Sequence, residues 1–161
     1  MSGVAGPHTP GMASMLTNAR NRPTTSDWVQ ILGGLPLFKQ ASKRHLRKVA
    51  SLAEVEEFSD RDVVVQKGEA GDGFYLILGG RAKLVGRPKS GSLGVGDYFG
   101  EMALLDGEPR SATVSAVGEL HTMRIPRRPF LRLLEQEPKL AVAMMTELAG
   151  RVRRLEKTPA A

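Results

Sequence analysis

The segment 99–114 contains the residues whose types and spacing are best suited to chemistry. Gly100 and Glu101 are followed by good helix formers up to Leu105, which predicts a short helix inside a region otherwise rich in strand formers. The start of such a helix presents backbone N–H groups without helical partners, and a glycine there lets a ligand approach the backbone closely. The segment therefore predicts a binding site for an anion.

Two charged side chains in this segment indicate what kind of anion would bind. Arg110 follows a turn and precedes a predicted strand, so its guanidinium could return to the pocket and hold two phosphate oxygens. Glu101 would repel an anion unless its carboxylate accepts hydrogen bonds from hydroxyl groups, which a ribose supplies. Together with an apolar barrel wall, these groups predict a pocket for a sugar phosphate that carries a base.

Simpler interpretations of the same residues are open at this point. Gly100 could serve only a tight turn. Glu101 and Arg110 could pair with each other at the surface, an interaction worth at most about 1 kcal/mol. The elements around the segment are needed to decide between a pocket and an ordinary turn.

Changes in composition along the chain predict one domain with a tail at each end. The length of 161 residues suits a single domain. Residues 1–26 are rich in Gly, Pro, Ser, Thr and Asn, and we expect them to be a disordered tail. The binding domain is expected at residues 27–157, followed by a short tail at residues 158–161.

Helices are predicted at both ends of this domain. Asp27 is expected to be the N-cap of a first helix that runs to Leu32, and a second helix is expected over residues 39–52. At the other end, residues 126–136 predict one helix, and a longer one is expected to begin near Pro138. Strands are expected between these two pairs of helices.

The middle of the chain predicts β structure. Short apolar segments alternate with glycine-containing turns such as Gly79-Gly80. The apolar segments are residues 63–65, 74–78, 82–85, 93–95, 112–117 and 120–125. We therefore expect a mainly β fold, an eight-stranded jelly-roll barrel with N-terminal helices, a short internal helix at the predicted anion site, and two C-terminal helices.

The same residues resemble a known family. The motif FGE at residues 99–101, followed by RSATV at residues 110–114, resembles the phosphate cassette of the cyclic nucleotide-binding domain. That family includes bacterial catabolite-activator proteins, protein-kinase regulatory subunits and cyclic-nucleotide-gated channels. The resemblance covers about residues 36–155, and the motif GDGFY at residues 71–75 is similar to a strand-joining turn of the family.

The resemblance implies roles for individual residues. Glu101 would bind the ribose 2′-hydroxyl and Arg110 the cyclic phosphate, while Ser111 would bond the phosphate or the edge of the purine. Ser111 could also be an ordinary strand hydroxyl. The remaining residues that the resemblance places around the phosphate are Gly100, Met102, Ala103 and Ala112.

Arg151 is the residue expected to cap the base. Its spacing from Arg110 resembles that of bacterial channel domains, in which an arginine of the last helix stacks on the purine. The alternative is a solvated arginine at the cationic end of a helix, where positive charge complements the helix dipole. Much of the net charge of +6 lies in this helix.

Several classes of function are excluded or disfavoured by composition. The chain has no cysteine, which excludes disulfides, thiolate metal sites and cysteine nucleophiles. Its histidines, His8, His45 and His121, do not form a cluster with metal-ligand spacing, so neither a metal nor a cofactor is expected. We find no catalytic motif and expect no enzyme. No apolar run suits a signal peptide or a membrane span, so we expect no membrane partner and a cytoplasmic location.

The function predicted from the sequence is that of a stand-alone, bacterial-looking cyclic nucleotide receptor. The ligand is expected to be cAMP, with cGMP also compatible with Ser111. Binding would close the C-terminal helix over the base and signal to an unidentified effector protein. The alternatives are a ligand-free scaffold of the same fold and a transcription regulator. Specific DNA binding is not expected, because only residues 158–161 follow the last predicted helix.

Overall fold

The computed structural model describes residues 23–86 and 91–157. Its helices are α1 (Thr25–Gly33), α2 (Lys43–Ala50), α3 (Ala103–Asp106), α4 (Arg127–Gln136) and α5 (Pro138–Glu156), with a 3-10 turn at Pro36–Phe38. Its strands are β1 (Glu54–Phe58), β2 (Val63–Val65), β3 (Gly73–Gly86), β4 (Gly91–Leu93), β5 (Tyr98–Phe99) and β6 (Ala112–Pro126). The mainly β fold with flanking helices and a short internal helix is confirmed.

Two long antiparallel strands organise the sheet. β3 and β6 pair from Gly73 opposite Pro126 to Gly86 opposite Ala112. β1 and β2 add to β6, while β4 and β5 add to β3. The described residues thus form a sheet of six strands rather than the eight predicted, and within those residues the sheet does not close into a barrel.

The number of strands differs because two predicted turns lie inside long strands. Gly79-Gly80 is not a hairpin turn, since β3 continues through it with shifts of register on both sides. Gly80 has φ +84°, and a Cβ there would overlap the backbone oxygen of Glu119. β6 likewise continues through Gly118, which has φ +73°. These glycines bend paired strands instead of ending them.

The N-terminal helices begin at other residues than predicted. Thr24 is the N-cap of α1, and Asp27 completes a capping box with it: Thr24 Oγ1 accepts from the Asp27 amide at 3.2 Å, and Asp27 Oδ2 accepts from the Thr24 amide at 2.9 Å. The prediction of Asp27 as N-cap was wrong by one turn. α2 begins after Ser42, so it is shorter than the helix predicted over 39–52. Of the predicted tails, residues 1–22 and 158–161 lie outside the described residues.

The core has two parts, one on each face of the sheet. Alternate residues of β3 point to opposite faces, so Tyr75 and Ile77 join one cluster while Phe74 and Leu76 join the other. The first cluster lies inside the curved sheet, and the second packs against the helices. None of the helices in the described parts of the chain is long and apolar enough to cross a membrane.

Glu137, which joins α4 to α5, is held by side chains of α2. Its carboxylate is 3.3 Å from Arg44 Nη1 and 3.3 Å from His45 Nε2, and it also accepts a hydrogen bond from Lys48 Nζ. The Lys48 hydrogen bond lowers the pKa of Glu137 from 4.5 to about 2, although desolvation opposes the shift. These contacts connect α2 to the junction between α4 and α5.

This ion cluster predicts a pH-dependent contribution to stability. Because the folded-state pKa is depressed, the stabilisation is full above pH 4.5 and is lost as the pH falls towards about 2. Urea unfolding should show the unmodified chain to be more resistant than Glu137→Gln at pH 7, with the two midpoints converging below pH 4.5. Glu135→Gln, which changes an exposed carboxylate in the last turn of α4, is the control. A difference between the midpoints that does not change with pH would contradict this role.

Candidate functional site

A cavity of about 320 Å³ opens between the inner face of the sheet and the segment that contains α3. This volume is at the lower end of the range typical of small-molecule sites, about 300–1,000 Å³. The lining residues are Val65, Leu84, Phe99, Gly100, Met102, Ala103, Asp106, Glu108, Pro109, Arg110, Ser111, Ala112 and Val114. One wall is thus apolar core, and the other is the segment singled out from the sequence.

The segment leaves the sheet at β5 and returns to it at β6. Between them the backbone forms the single turn of α3, closed by a hydrogen bond from the Leu104 amide to Gly100 O at 3.2 Å. Among the residues that the structure describes, no backbone carbonyl accepts from the amides of Met102 or Ala103. Both residues line the cavity, so these two donors are at the predicted anion site.

Gly100 is needed for a reason that the sequence did not reveal. Its φ is +81°, which favours glycine, and a Cβ would lie 2.7 Å from Gly73 O and overlap the guanidinium of Arg110. The sequence predicted that this glycine gives a ligand access to the backbone. In the structure it makes room for the arginine side chain that faces the same cavity.

Arg110 is a buried cation at the cavity. Its side chain is 6% exposed, and Nη2 donates to Gly73 O at 2.7 Å and lies 3.5 Å from Asp72 Oδ1. Burial lowers its pKa from 12.5, and the charge of Asp72 opposes that shift. An arginine guanidinium keeps its charge at neutral pH in proteins, and one carbonyl and one carboxylate set the orientation of this one.

Glu101 is a buried carboxylate that only half satisfies its hydrogen-bonding capacity. Its side chain is 7% exposed, and Oε1 accepts from Arg151 Nη1 at 3.2 Å. Oε2 is buried and has no hydrogen-bond partner among the described residues. Burial raises the pKa of Glu101 from 4.5, and Arg151 opposes that shift. Glu101 and Arg110 do not pair with each other in the structure, which removes the simple ion-pair interpretation.

Arg151 reaches the cassette segment from α5. Its side chain is 28% exposed, and besides Glu101 its Nη1 lies 3.6 Å from Met102 Sδ. It is therefore not the solvated helix residue considered as an alternative. Arg151 and Glu101 do not line the cavity, although Glu101 lies between two residues that do, Gly100 and Met102. Base capping by Arg151 stays a prediction.

The structure brings all the predicted binding residues to one place. Six of them line the cavity, and the remaining two, Glu101 and Arg151, form an ion pair that adjoins it. The six are Gly100, Met102, Ala103, Arg110, Ser111 and Ala112.

Sequence analysis missed the role of Asp72. This residue lies in the GDGFY motif, which was interpreted only as a turn, yet its carboxylate is 3.5 Å from Arg110 Nη2 and 3.2 Å from Arg124 Nη2. A carboxylate just before a predicted strand was a weak signal, because only the isolated bridge between Ala70 and Pro109 brings the segment before β3 to Arg110. Asp72 thus orients the cation of the pocket.

Comparison with known proteins agrees with this geometry. A family model described as the cyclic nucleotide-binding domain matches residues 55–137. A cAMP-dependent protein kinase regulatory subunit of Mycosarcoma maydis is 37% identical in an alignment of 130 positions that covers 74% of this chain and 24% of that protein. A cyclic nucleotide-gated potassium channel of Rhizobium etli is 32% identical over 122 residues, which are 76% of this chain and 34% of that protein.

A solved structure has the same fold. The regulatory domain of Toxoplasma gondii PKA, in co-crystals with cAMP, is similar with a TM-score of 0.58 and 29% identity over 76% of this chain and 50% of that chain. This chain spans about a quarter to a third of the length of the two curated relatives. On the match to the family model, the two motifs of the cassette and the shared fold, the chain belongs to the cyclic nucleotide-binding domain family.

Proposed function

We propose that this chain is a receptor module for cAMP that catalyses no reaction and signals to a partner protein. The observation that carries the proposal is the presence of two opposite buried charges on one short segment: Glu101, which has an oxygen without a partner among the described residues, and Arg110, which lines the cavity. Burial of a charge is costly unless the charge has a partner. A ligand with both a phosphate and a hydroxyl would supply partners to both groups.

The phosphate end of the ligand would lie against Arg110 and the start of α3. Among the described residues, the guanidinium contacts Gly73 O and the Asp72 carboxylate, both through Nη2. Its other donors, together with the amides of Met102 and Ala103, suit the exocyclic oxygens of a cyclic phosphate. Because the Arg110 side chain is buried, a charge-assisted bond from it is stronger than it would be at the surface.

The ribose would bind to Glu101. Arg151 holds Oε1, and the free Oε2 is an acceptor without a donor among the described residues. A 2′-hydroxyl would donate to it, which satisfies the oxygen and favours the ionised form of the carboxylate. The cost of leaving this buried oxygen unpaired is then removed by the ligand itself.

The signal would pass through α5. Arg151 links this helix to Glu101, so a change in the position of Glu101 on ribose binding would move the last helix. Its guanidinium lies beside the carboxylate that would hold the ribose, and we include base capping by Arg151 in the proposal. Closure of α5 over the base would be a population shift whose size is limited by the preference of the ligand for the closed state.

Thermal unfolding in the presence of candidate ligands tests the proposal. cAMP at about a hundred times its Kd should stabilise the chain by about 2.7 kcal/mol. That corresponds to an upward shift in Tm of several degrees for a domain of this size. cGMP at the same concentration should give a smaller shift, and 5′-AMP, which lacks the cyclic phosphate, should give none.

The result depends on starting from protein without bound nucleotide. Mass spectrometry of the denatured sample would check this. No shift with cAMP or cGMP from nucleotide-free, folded protein would contradict the receptor proposal and favour a ligand-free scaffold of the same fold. A larger shift with cGMP than with cAMP would overturn the choice of ligand but not the class.

A further inference from the structure

The first residue of α4 makes a contact that no ligand-binding role explains. α4 begins with Arg127 and Arg128, and positive charge at a helix N-terminus is unfavourable because of the helix dipole. The Arg127 side chain leaves this end, and its Nη2 donates to Leu105 O at 3.1 Å. Leu105 is in the last turn of α3, where unpaired carbonyls favour a cation.

The chain leaves space for this guanidinium. Gly107 is the C-cap of α3 with φ +66°, and a Cβ there would lie 2.9 Å from Arg127 Cζ and 3.1 Å from Arg127 Nε. Any larger residue would have to displace the arginine or the turn. The end of α3 and the start of α4 are therefore fitted to each other through one glycine and one arginine.

A second bond ties Arg127 to the other half of the phosphate site. Its backbone amide donates to Asp72 O at 2.8 Å. The carboxylate of Asp72 lies 3.5 Å from Arg110 Nη2. Arg127 thus contacts α3 with its side chain and the residue that orients Arg110 with its backbone, although it does not line the cavity itself.

We propose that Arg127 is a positioning residue of the phosphate site, which holds α3 in place and couples its movement to α4. The inference rests on the proposed binding of cAMP. When the amides at the start of α3 bind a phosphate, the single turn of α3 would move as a unit. The hydrogen bond from Arg127 to Leu105 O would then displace the first residue of α4 as well. Without this bond the turn would be free to move alone, and ligand binding would have to order it.

Three variants separate this role from a general effect of charge. Arg127→Gln removes the cation, whereas Arg127→Lys keeps a positive charge that can donate to one carbonyl. Arg128→Gln is the matched control, because it removes the neighbouring exposed cation. The loss of one hydrogen bond from a charged donor should weaken cAMP binding by about tenfold in Arg127→Gln. Arg127→Lys should recover most of the affinity, and Arg128→Gln should not change it. Titration calorimetry gives all three values.

Hydrogen exchange supplies a readout that a purely structural role would not move. In the unmodified chain cAMP should slow exchange at residues 104–107 and at the start of α4. In Arg127→Gln it should still slow exchange in α3 but much less in α4, with the ligand-free Tm close to that of the control. Unchanged affinity, or equal protection of α4 in both proteins, would overturn the inference while leaving the proposed function intact. Failure of the unmodified chain and all variants alike to bind cAMP would instead refute the proposed function and this inference with it.

Discussion

Substitution of Arg110 by lysine is expected to weaken cAMP binding by about a hundredfold. Lysine keeps the positive charge but cannot present two parallel donors to a phosphate, and its ammonium cannot also hold Gly73 O and Asp72 as the guanidinium does. A hundredfold change corresponds to about 2.7 kcal/mol, the value of one to two hydrogen bonds to a charged group. Arg110→Gln, which also removes the charge, should weaken binding further.

The measurement is titration calorimetry on protein whose folding has been checked by its unfolding curve. Arg110 is buried, so its loss also leaves Gly73 O without its donor and should lower stability. Arg47→Lys makes the same change on α2 at an exposed position away from the cavity, and it should leave the Kd unchanged. If folded Arg110→Lys bound cAMP as tightly as this control, Arg110 would not be the phosphate ligand.

The cassette could be predicted from the sequence because its parts are close together in the chain. Gly100, Glu101 and Arg110 lie within one short segment, and the pattern of turn, helix formers and strand is local. The residue types predicted an anion site there, and that binding stays a prediction. The partners of these residues could not be predicted in the same way, since Asp72 reaches the segment from the turn before β3 and Arg151 from α5.

The strands show where local rules fail. A pair of glycines ordinarily marks a turn, and Gly79-Gly80 was interpreted as one. In the structure β3 stays paired with β6 on both sides of these glycines, and the strand bends at them without ending. The helix start at Thr24 was missed for a similar reason, because Thr24 and Asp27 are both good capping residues and only the backbone decides which of them caps.

The charges around the pocket form two separate ion pairs with different tasks. Asp72 and Arg110 belong to segments that flank the sheet, so this pair would fix the proposed phosphate end of the site. Glu101 and Arg151 join the cassette to α5, so this pair would connect the proposed ribose end to the last helix. Loss of Arg110 should therefore affect mainly affinity, whereas loss of Glu101 should affect both affinity and the position of α5.

Substitution of Glu101 by glutamine is expected to weaken cAMP binding by about fiftyfold. The amide oxygen is a weaker acceptor than a carboxylate, and the Arg151 guanidinium loses its anionic partner. Glu108→Gln is the matched control, because Glu108 is an exposed carboxylate that lines the same cavity. It should bind cAMP as the unmodified chain does.

The assignment of Glu101 to the ribose can be isolated with 2′-deoxy-cAMP, which lacks the hydroxyl. The unmodified chain should bind this analogue less tightly than cAMP, because the analogue lacks the hydroxyl that would donate to Oε2. In Glu101→Gln the analogue and cAMP should bind almost equally, since the bond that distinguishes them is already weakened. If both proteins discriminated between the two ligands to the same extent, the free oxygen of Glu101 would not be the acceptor of the 2′-hydroxyl. Its burial without a partner would then require another ligand group, and the choice of a ribose would have to be abandoned.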